Sequence, residues 1–250
     1  MIVANLATYP ARRAAIPGVL AALAPQVDRL NLVLNEYDTV PDEARGFDNV
    51  NPILPPRDLK DVGKFYPDVA GADWVLMVDD DVIYPPDFVA RSVAQMERFG
   101  DRGILGGYHG SIYARPKFSF NRRKFARWLS YRDRNIQMWR RNLTFYKELT
   151  QPTVVDQIAT NAAILRADLM PGFAYMEDSQ RFVDVRLAKW CFEHGILPVC
   201  LARPADWLRP VRYEETIFDD FTRSNHAHVA REIWSYAFKV PGRGGVLADR

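Results

Sequence analysis

Trp74-Val75-Leu76-Met77-Val78-Asp79-Asp80-Asp81-Val82-Ile83-Tyr84-Pro85-Pro86 is the stretch on which the reading of this chain turns. Five apolar residues in a row suit a strand buried on both faces, and the proline pair closes the turn that follows. Three adjacent carboxylates at the end of such a strand repel one another with little solvent to screen them. A divalent cation that prefers hard oxygen ligands is their natural neutralising partner, and a metal held so openly keeps coordination positions for a diphosphate. The plainer alternative is an acidic turn capping the next helix, with Asp87 or a neighbour as the N-cap.

Outward from this stretch, apolar runs at 2–7, 30–34, 50–54, 162–165 and 196–201 read as further buried strands. Between the first two, Ile16, Val19, Leu20 and Leu23 recur at the spacing of one helix face. Val89, Val93 and Met96 repeat it, and Phe182, Val185, Ala188 and Phe192 do so again before Gly195, which is placed to stop the helix. Strands alternating with helices predict an α/β architecture with a mostly parallel sheet flanked by helices. Ligands of such sheets gather at the carboxyl ends of strands, where Asp79–Asp81 fall. With 250 residues, 48% of them hydrophobic, the expectation is one domain over 1–240, with Pro241-Gly242-Arg243-Gly244-Gly245 opening a flexible tail that runs to 250.

Several classes are disfavoured. The longest weakly polar stretch, 14–25, is broken by Pro17 and Gly18 and is shorter than the ~20 apolar residues of a membrane span. Met1 leads directly into a strand-like run without the basic and apolar regions of a secretion signal, so cytoplasmic residence is expected. Cys191 and Cys200, the only cysteines, lack metal-ligand spacing and read as reduced core thiols.

Four ordered segments carry a family likeness: Asn5-Leu6-Ala7-Thr8-Tyr9-Pro10-Ala11-Arg12, Pro25-Gln26-Val27-Asp28-Arg29-Leu30, Asp58-Leu59-Lys60-Asp61-Val62-Gly63-Lys64-Phe65-Tyr66, and Val78 to Pro85. Together they resemble a GT-A glycosyltransferase of the broad family-2 group, and within it the sugar-transferring domains of bacterial chondroitin- and hyaluronan-type polymerases. The likeness covers about residues 1–113 and, more loosely, 154–203. It implies a Rossmann-like GT-A fold, a nucleotide-sugar donor, usually UDP-linked, and Mn²⁺ or Mg²⁺ bridging protein and diphosphate. Asp79 and Asp81 match the outer positions of the family's Asp-x-Asp, with Asp80 between them on the donor side. A fixed cation suits a leaving diphosphate on physical grounds as well, because negative charge develops there. Thr8, Pro10 and Arg12 match the turn that approaches the nucleotide, and Asp61, Gly63 and Lys64 the segment folded over base and ribose. Read alone, these are a strand-to-helix turn and a charged loop.

An inverting transfer needs a base for the acceptor hydroxyl. Asp184 matches the acidic position at the start of the family's corresponding helix, with Asp178 and then Glu177 as competitors. The resemblance implies a histidine completing the metal shell, for which His226 or His228 is the candidate, the alternative being that neither is a ligand; their i, i+2 spacing keeps both from one helix face. His109, in Gly106-Gly107-Tyr108-His109-Gly110, is placed near the donor sugar.

The formal net charge of +2 conceals an asymmetry: 115–150 holds eleven Lys or Arg against Asp133 and Glu148. The segment departs from the polymerase pattern and reads as a basic helical insertion between a nucleotide-sugar half (1–113) and an acceptor and base half (154–240). Arg122, Arg123, Arg127, Trp128 and Arg132 are its candidate acceptor contacts. Basic groups interleaved with Phe118, Phe120, Phe125 and Trp128 suit nucleic acid, such as hydroxymethylated bases in phage-type DNA. The same composition suits a helix lying on anionic lipid, with a saccharide or lipid-linked glycan as acceptor. A third reading packs Phe125, Leu129, Ile136, Trp139 and Leu143 as helix faces against the sheet or a second subunit.

Two other classes compete. A haloacid-dehalogenase-type phosphatase also follows a strand with Asp-x-Asp, but leaves the first and third segments unexplained. A non-catalytic carbohydrate- or nucleic-acid-binding module has no need of Asp79, Asp81 and Asp184 together.

Overall fold

The structure is a computed structural model describing residues 1–115, 117–118, 120–130, 133–211 and 226–249. Arg132 falls outside the described residues. The central sheet is assembled from β1 (Ile2–Thr8), β2 (Arg29–Leu34), β3 (Val50–Ile53), β4 (Trp74–Val78), then, beyond the short β5 (Val82–Ile83), β6 (Ile104–Gly107). The hairpin partners β7 (Gly110–Tyr113) and β8 (Arg140–Leu143) stand apart from it, as does β10 (Gln157–Ile158), while β9 (Thr153–Val154), β11 (Ala162–Arg166) and β12 (Leu197–Cys200) complete it. Its order is β3-β2-β1-β4-β11-β6-β12-β9. All but β11 and β9 run the same way, so the expected mostly parallel α/β sheet is what forms.

The predicted helix faces bury in large part, with Val93 half-buried and Phe192 exposed as the exceptions. In α1 (Ile16–Leu23) the residues Ile16, Val19, Leu20 and Leu23 enter the core, and α2 (Phe88–Glu97) buries Val89 and Met96. Asp87 stands at the N-cap of α2 without capping it; its carboxylate accepts from Trp207 Nε1 at 2.9 Å. After the short α4 (Phe173–Met176), α5 (Val183–Glu193) is joined to α6 (Ala227–Tyr236) by a two-pronged pair, Arg186 to Glu232 at 2.8 and 2.7 Å.

Three expectations are corrected by packing. Gly106 and Gly107 serve the sheet interior: a Cβ on either would lie 2.4 Å from Met96 Sδ or Ile158 Cγ2. The chain near residue 245 is held, because Gly244 N donates to Val154 O and Val154 N to Gly245 O, while Arg243 chelates the fully buried Asp156. The basic insertion is only partly helical: α3 (Arg122–Ser130) is followed by a 3₁₀ turn at Asp133–Met138 and then by β8, which pairs antiparallel with β7. Phe125 and Leu129 are exposed, whereas Ile136 is buried among Phe182, Val229 and Ile233.

Candidate active site

Parallel register brings the carboxyl ends of three strands to one edge. Thr8 is level with Leu34 and Leu6 with Val78, so Thr8, Asn35 and the three aspartates share that edge. Because β11 runs antiparallel to β4, with Ala162 opposite Val78, it begins where β4 ends and delivers Thr160 beside Asp79. A cleft of about 430 Å³ opens here, within the size range of small-molecule sites.

A line of charge crosses the cleft floor. Lys64, 2% exposed, pairs with Asp79 and donates to Thr160 O (3.2 Å) and Oγ1 (3.1 Å). Thr160 in turn donates twice to Asp184 Oδ1, from its amide at 2.8 Å and its hydroxyl at 2.9 Å. Burial pulls the Lys64 ammonium downward, but Asp79, with Asp184 and Asp61 behind it, holds the net shift upward, so the lysine stays charged. Its backbone is fixed from below. Asn5 Nδ2 donates to Lys64 O at 2.8 Å, Asn31 Nδ2 to Asn5 Oδ1 at 2.8 Å, and Asn51 Nδ2 to Asn31 Oδ1 at 3.0 Å, an asparagine ladder across three parallel strands.

The carboxylates are separated by environment. Asp80 accepts from Thr8 Oγ1 at 2.6 Å, yet burial, and then Asp79, raise its affinity for a proton. Asp81 is pushed up to about 6, first by burial and then by Asp79 and Asp80. Asp61 also rises to about 6 through burial, opposed by the Arg181 amide, which donates to it at 2.8 Å. Tyr84 clamps the turn: Asp79 N donates to its hydroxyl at 2.9 Å, and the hydroxyl donates to Asn161 O at 2.7 Å.

The cleft rim carries backbone strain. Glu36, Lys60 and Arg181 all adopt positive φ (57°, 50° and 71°) and all line the cleft. Non-glycine residues hold such angles only where surroundings enforce them, and they cluster at functional sites. At Lys60 the enforcement is visible, since its amide and ammonium donate to Asp58 and Asn35 Nδ2 donates to its carbonyl.

Of the residues singled out from the sequence, Thr8, Arg12, Asp61, Lys64, Asp79, Asp80, Asp81 and Asp184 line this one cleft. Others lie elsewhere. Pro10 is exposed on the turn, and Gly63 faces the sheet, where a Cβ would stand 3.1 Å from Val33 and 3.2 Å from Ala7. His109 is turned inward beside Phe145, with burial driving its imidazole down to about 4; the glycines around it serve packing, not a sugar. Asp178 is exposed outside the cleft and Glu177 pairs with Arg57. His226 and His228 start α6, with the His228 ring against Phe182 at 5.2 Å. Arg122, Arg123 and Trp128 fall on α3, away from the lining, and Arg127 belongs to the same helix. Residues that sequence reasoning passed over include Thr160, Arg181, Asn35 and the asparagine ladder. A polar residue inside each apolar strand was the available signal for the ladder; Thr160 carried none.

No group of three His, Cys, Asp or Glu side chains is gathered for a metal among the described residues. Asp81, and the oxygen of Asp79 not paired with Lys64, would be the donors for a cation, which would relieve the crowding that raises Asp81.

Comparison with solved structures defines the class of fold. Glucosyl-3-phosphoglycerate synthase from Mycobacterium tuberculosis, in complex with phosphoglyceric acid, is similar with a TM-score of 0.50 at 15% identity, over 96% of this chain and 81% of that one. A mycobacterial protein matches at 0.52 and 16% identity, over 96% of this chain and 76% of its own. A nucleotidyl transferase from Methanothermobacter thermautotroptrophicus scores 0.48 at 16% identity, covering 92% of this chain and 98% of its own. The matches at 0.50 and 0.52, with the mostly parallel sheet flanked by helices, make the fold the GT-A α/β type. No protein-family model and no curated sequence matches the chain.

Proposed function

We propose that this protein is a nucleotide-sugar glycosyltransferase moving a sugar, with inversion, from a UDP-sugar to a hydroxyl on a saccharide or lipid-linked glycan. The observation that carries this reading is the continuous line Asp79–Lys64–Thr160–Asp184 across the cleft, which in this reading runs from the diphosphate to the base. The motif likeness to chondroitin- and hyaluronan-type polymerases and the fold shared with a glucosyl-3-phosphoglycerate synthase both favour a sugar donor.

In this reading Asp184 is the base. With Oδ1 fixed by Thr160, Oδ2 is the oxygen left to take the acceptor's proton. Arg12 and Lys64 supply positive charge where the departing diphosphate gains negative charge. Asp79 and Asp81 would hold Mn²⁺ or Mg²⁺, which supplies Lewis-acid stabilisation of the leaving group. Asp61 is assigned to the ribose or base, the strained Arg181 and Lys60 to closing the rim, and Gln137 and Arg140 to the acceptor side.

The test pairs two variants. UDP with Mn²⁺ should protect the wild type against thermal unfolding, and Asp81→Asn should abolish that protection while the apo protein stays folded. Asp184→Asn should keep the protection and lose about 10²–10⁴-fold in turnover. Unchanged protection in the first variant sinks the cation assignment; retained turnover in the second removes Asp184 as base.

A further inference from the structure

Every residue of α3 with a described burial, namely Arg122, Arg123, Phe125, Ala126, Trp128 and Leu129, is exposed. The helix nonetheless has an apolar side: Phe125, Trp128 and Leu129 recur at i, i+3 and i+4. That side merges with the preceding loop, where Phe118 meets Phe120 at 5.2 Å, Phe125 at 5.9 Å and Trp128 at 5.3 Å, all edge-on. Phe120 is 94% exposed. Contiguous apolar surface of this kind on a folded chain marks an interaction site.

We propose that α3 docks the protein on an anionic lipid surface, with Phe118, Phe120, Phe125, Trp128 and Leu129 sunk at the headgroup boundary and Arg122 and Arg123 meeting lipid phosphates. Charge selects the occupant. Eleven Lys or Arg against two acids in this segment attract an anionic bilayer and repel a second copy of the same surface. The ring geometry argues against nucleic acid, since bases stack on open ring faces. Here Phe118, Phe125 and Trp128 are engaged with one another, Phe125 lying on Trp128 at 5.9 Å and 25°, Leu129 offers no π-face, and Phe120 is the ring left nearly fully exposed. A helix that buries one apolar side in the interface while its basic side meets headgroups is the ordinary form of interfacial binding.

The placement has a consequence for the cleft. Beyond α3 the chain enters the turn Asp133–Met138, pinned by the buried Ile136, and then β8; Gln137 and Arg140 from this stretch line the cleft. Docked α3 therefore holds that wall of the cleft near the bilayer. The docking itself does not depend on the glycosyltransferase reading, and its test uses neither donor nor acceptor.

The measurement is flotation of the full chain with phosphatidylcholine vesicles, with and without phosphatidylserine, at low and high salt. The wild type should float only with the anionic vesicles and fall away as salt rises. Phe120→Ser/Phe125→Ser/Trp128→Ser should lose at least tenfold in partitioning with an unchanged melting temperature, its side chains being exposed. Arg122→Ala/Arg123→Ala should lose roughly fivefold per charge removed. Vesicle binding equal in the triple variant and the wild type overturns the proposal. So does a wild type that ignores vesicles but binds duplex DNA or self-associates through the same residues.

Discussion

A lysine with 2% of its surface exposed must be held by charge, and around Lys64 that charge comes from carboxylates whose own environments differ. Asp61, lifted to about 6 by burial, has a folded pKa above its unfolded value. Its favourable contribution is complete below about 4 and is lost as pH rises through about 6. Asp61→Asn, which still accepts from the Arg181 amide, should therefore match the wild type near pH 4 and exceed it at pH 8 by roughly 1–2 kcal/mol after allowance for partial exposure. Denaturant titrations at the two pH values check this, and a variant no more stable at pH 8 refutes the burial cost. The same substitution should weaken UDP protection, a trade of function for stability. His109 has the opposite sign. Its folded pKa of about 4 lies below the unfolded one, so its contribution is present above about 6.5 and disappears as pH falls toward 4. NMR of the imidazole should find it neutral down to about pH 5; a midpoint near 6.5 would contradict its burial.

At the scale of elements, strands were legible and their cross-connections were not. The 74–78 run and the α1 stripe announce their burial by period and form as read, whereas the α5 stripe does so only in part: Val185 and Ala188 are buried, with Leu187 and Cys191, but Phe192 is exposed. The β7–β8 pairing and the antiparallel entry of β11 depend on contacts distant in sequence, which composition does not encode. That entry is what brings Thr160 to Asp184, so the hydrogen-bonded line spanning residues 64, 79, 160 and 184 could be seen only in part. The asparagine ladder is the element that converts sheet register into site geometry. Asn31, 1% exposed, is its centre. Asn31→Leu should leave Asn5 Oδ1 buried without a donor and cost about 1–3 kcal/mol. Because Asn5 also holds Lys64 O, UDP protection should fall further than in a core variant of equal stability. Equal loss in both would reduce the ladder to plain packing.

At the scale of the whole molecule, the C-terminal stretch ties the far edge of the sheet back to the cleft. Pro241-Gly242-Arg243-Gly244-Gly245 has the composition of a loose tail, but one arginine changes its fate. Asp156, fully buried, accepts Arg243 Nε at 2.9 Å and Nη2 at 2.9 Å, together with the amides of Tyr113 (2.7 Å) and Phe238 (3.3 Å). Tyr113 and Tyr236 in turn donate to Gln157 Oε1 at 2.7 and 2.8 Å, and Gln157 lines the cleft. Composition could not reveal this, because the partner carboxylate lies 87 residues away. Removing one member of a buried pair strands the other charge, so Arg243→Ala should cost about 3–5 kcal/mol. Arg243→Met with Asp156→Asn removes the stranded charge while keeping an acceptor for the Tyr113 amide, and should recover most of that loss. Chemical denaturation of the three proteins decides it. A single variant within about 0.5 kcal/mol of wild type, the range of an ordinary surface change, would mean that the tail is loose after all; failure of the double variant to recover would place the loss in the Arg243 contact with Tyr113 O rather than in the stranded carboxylate.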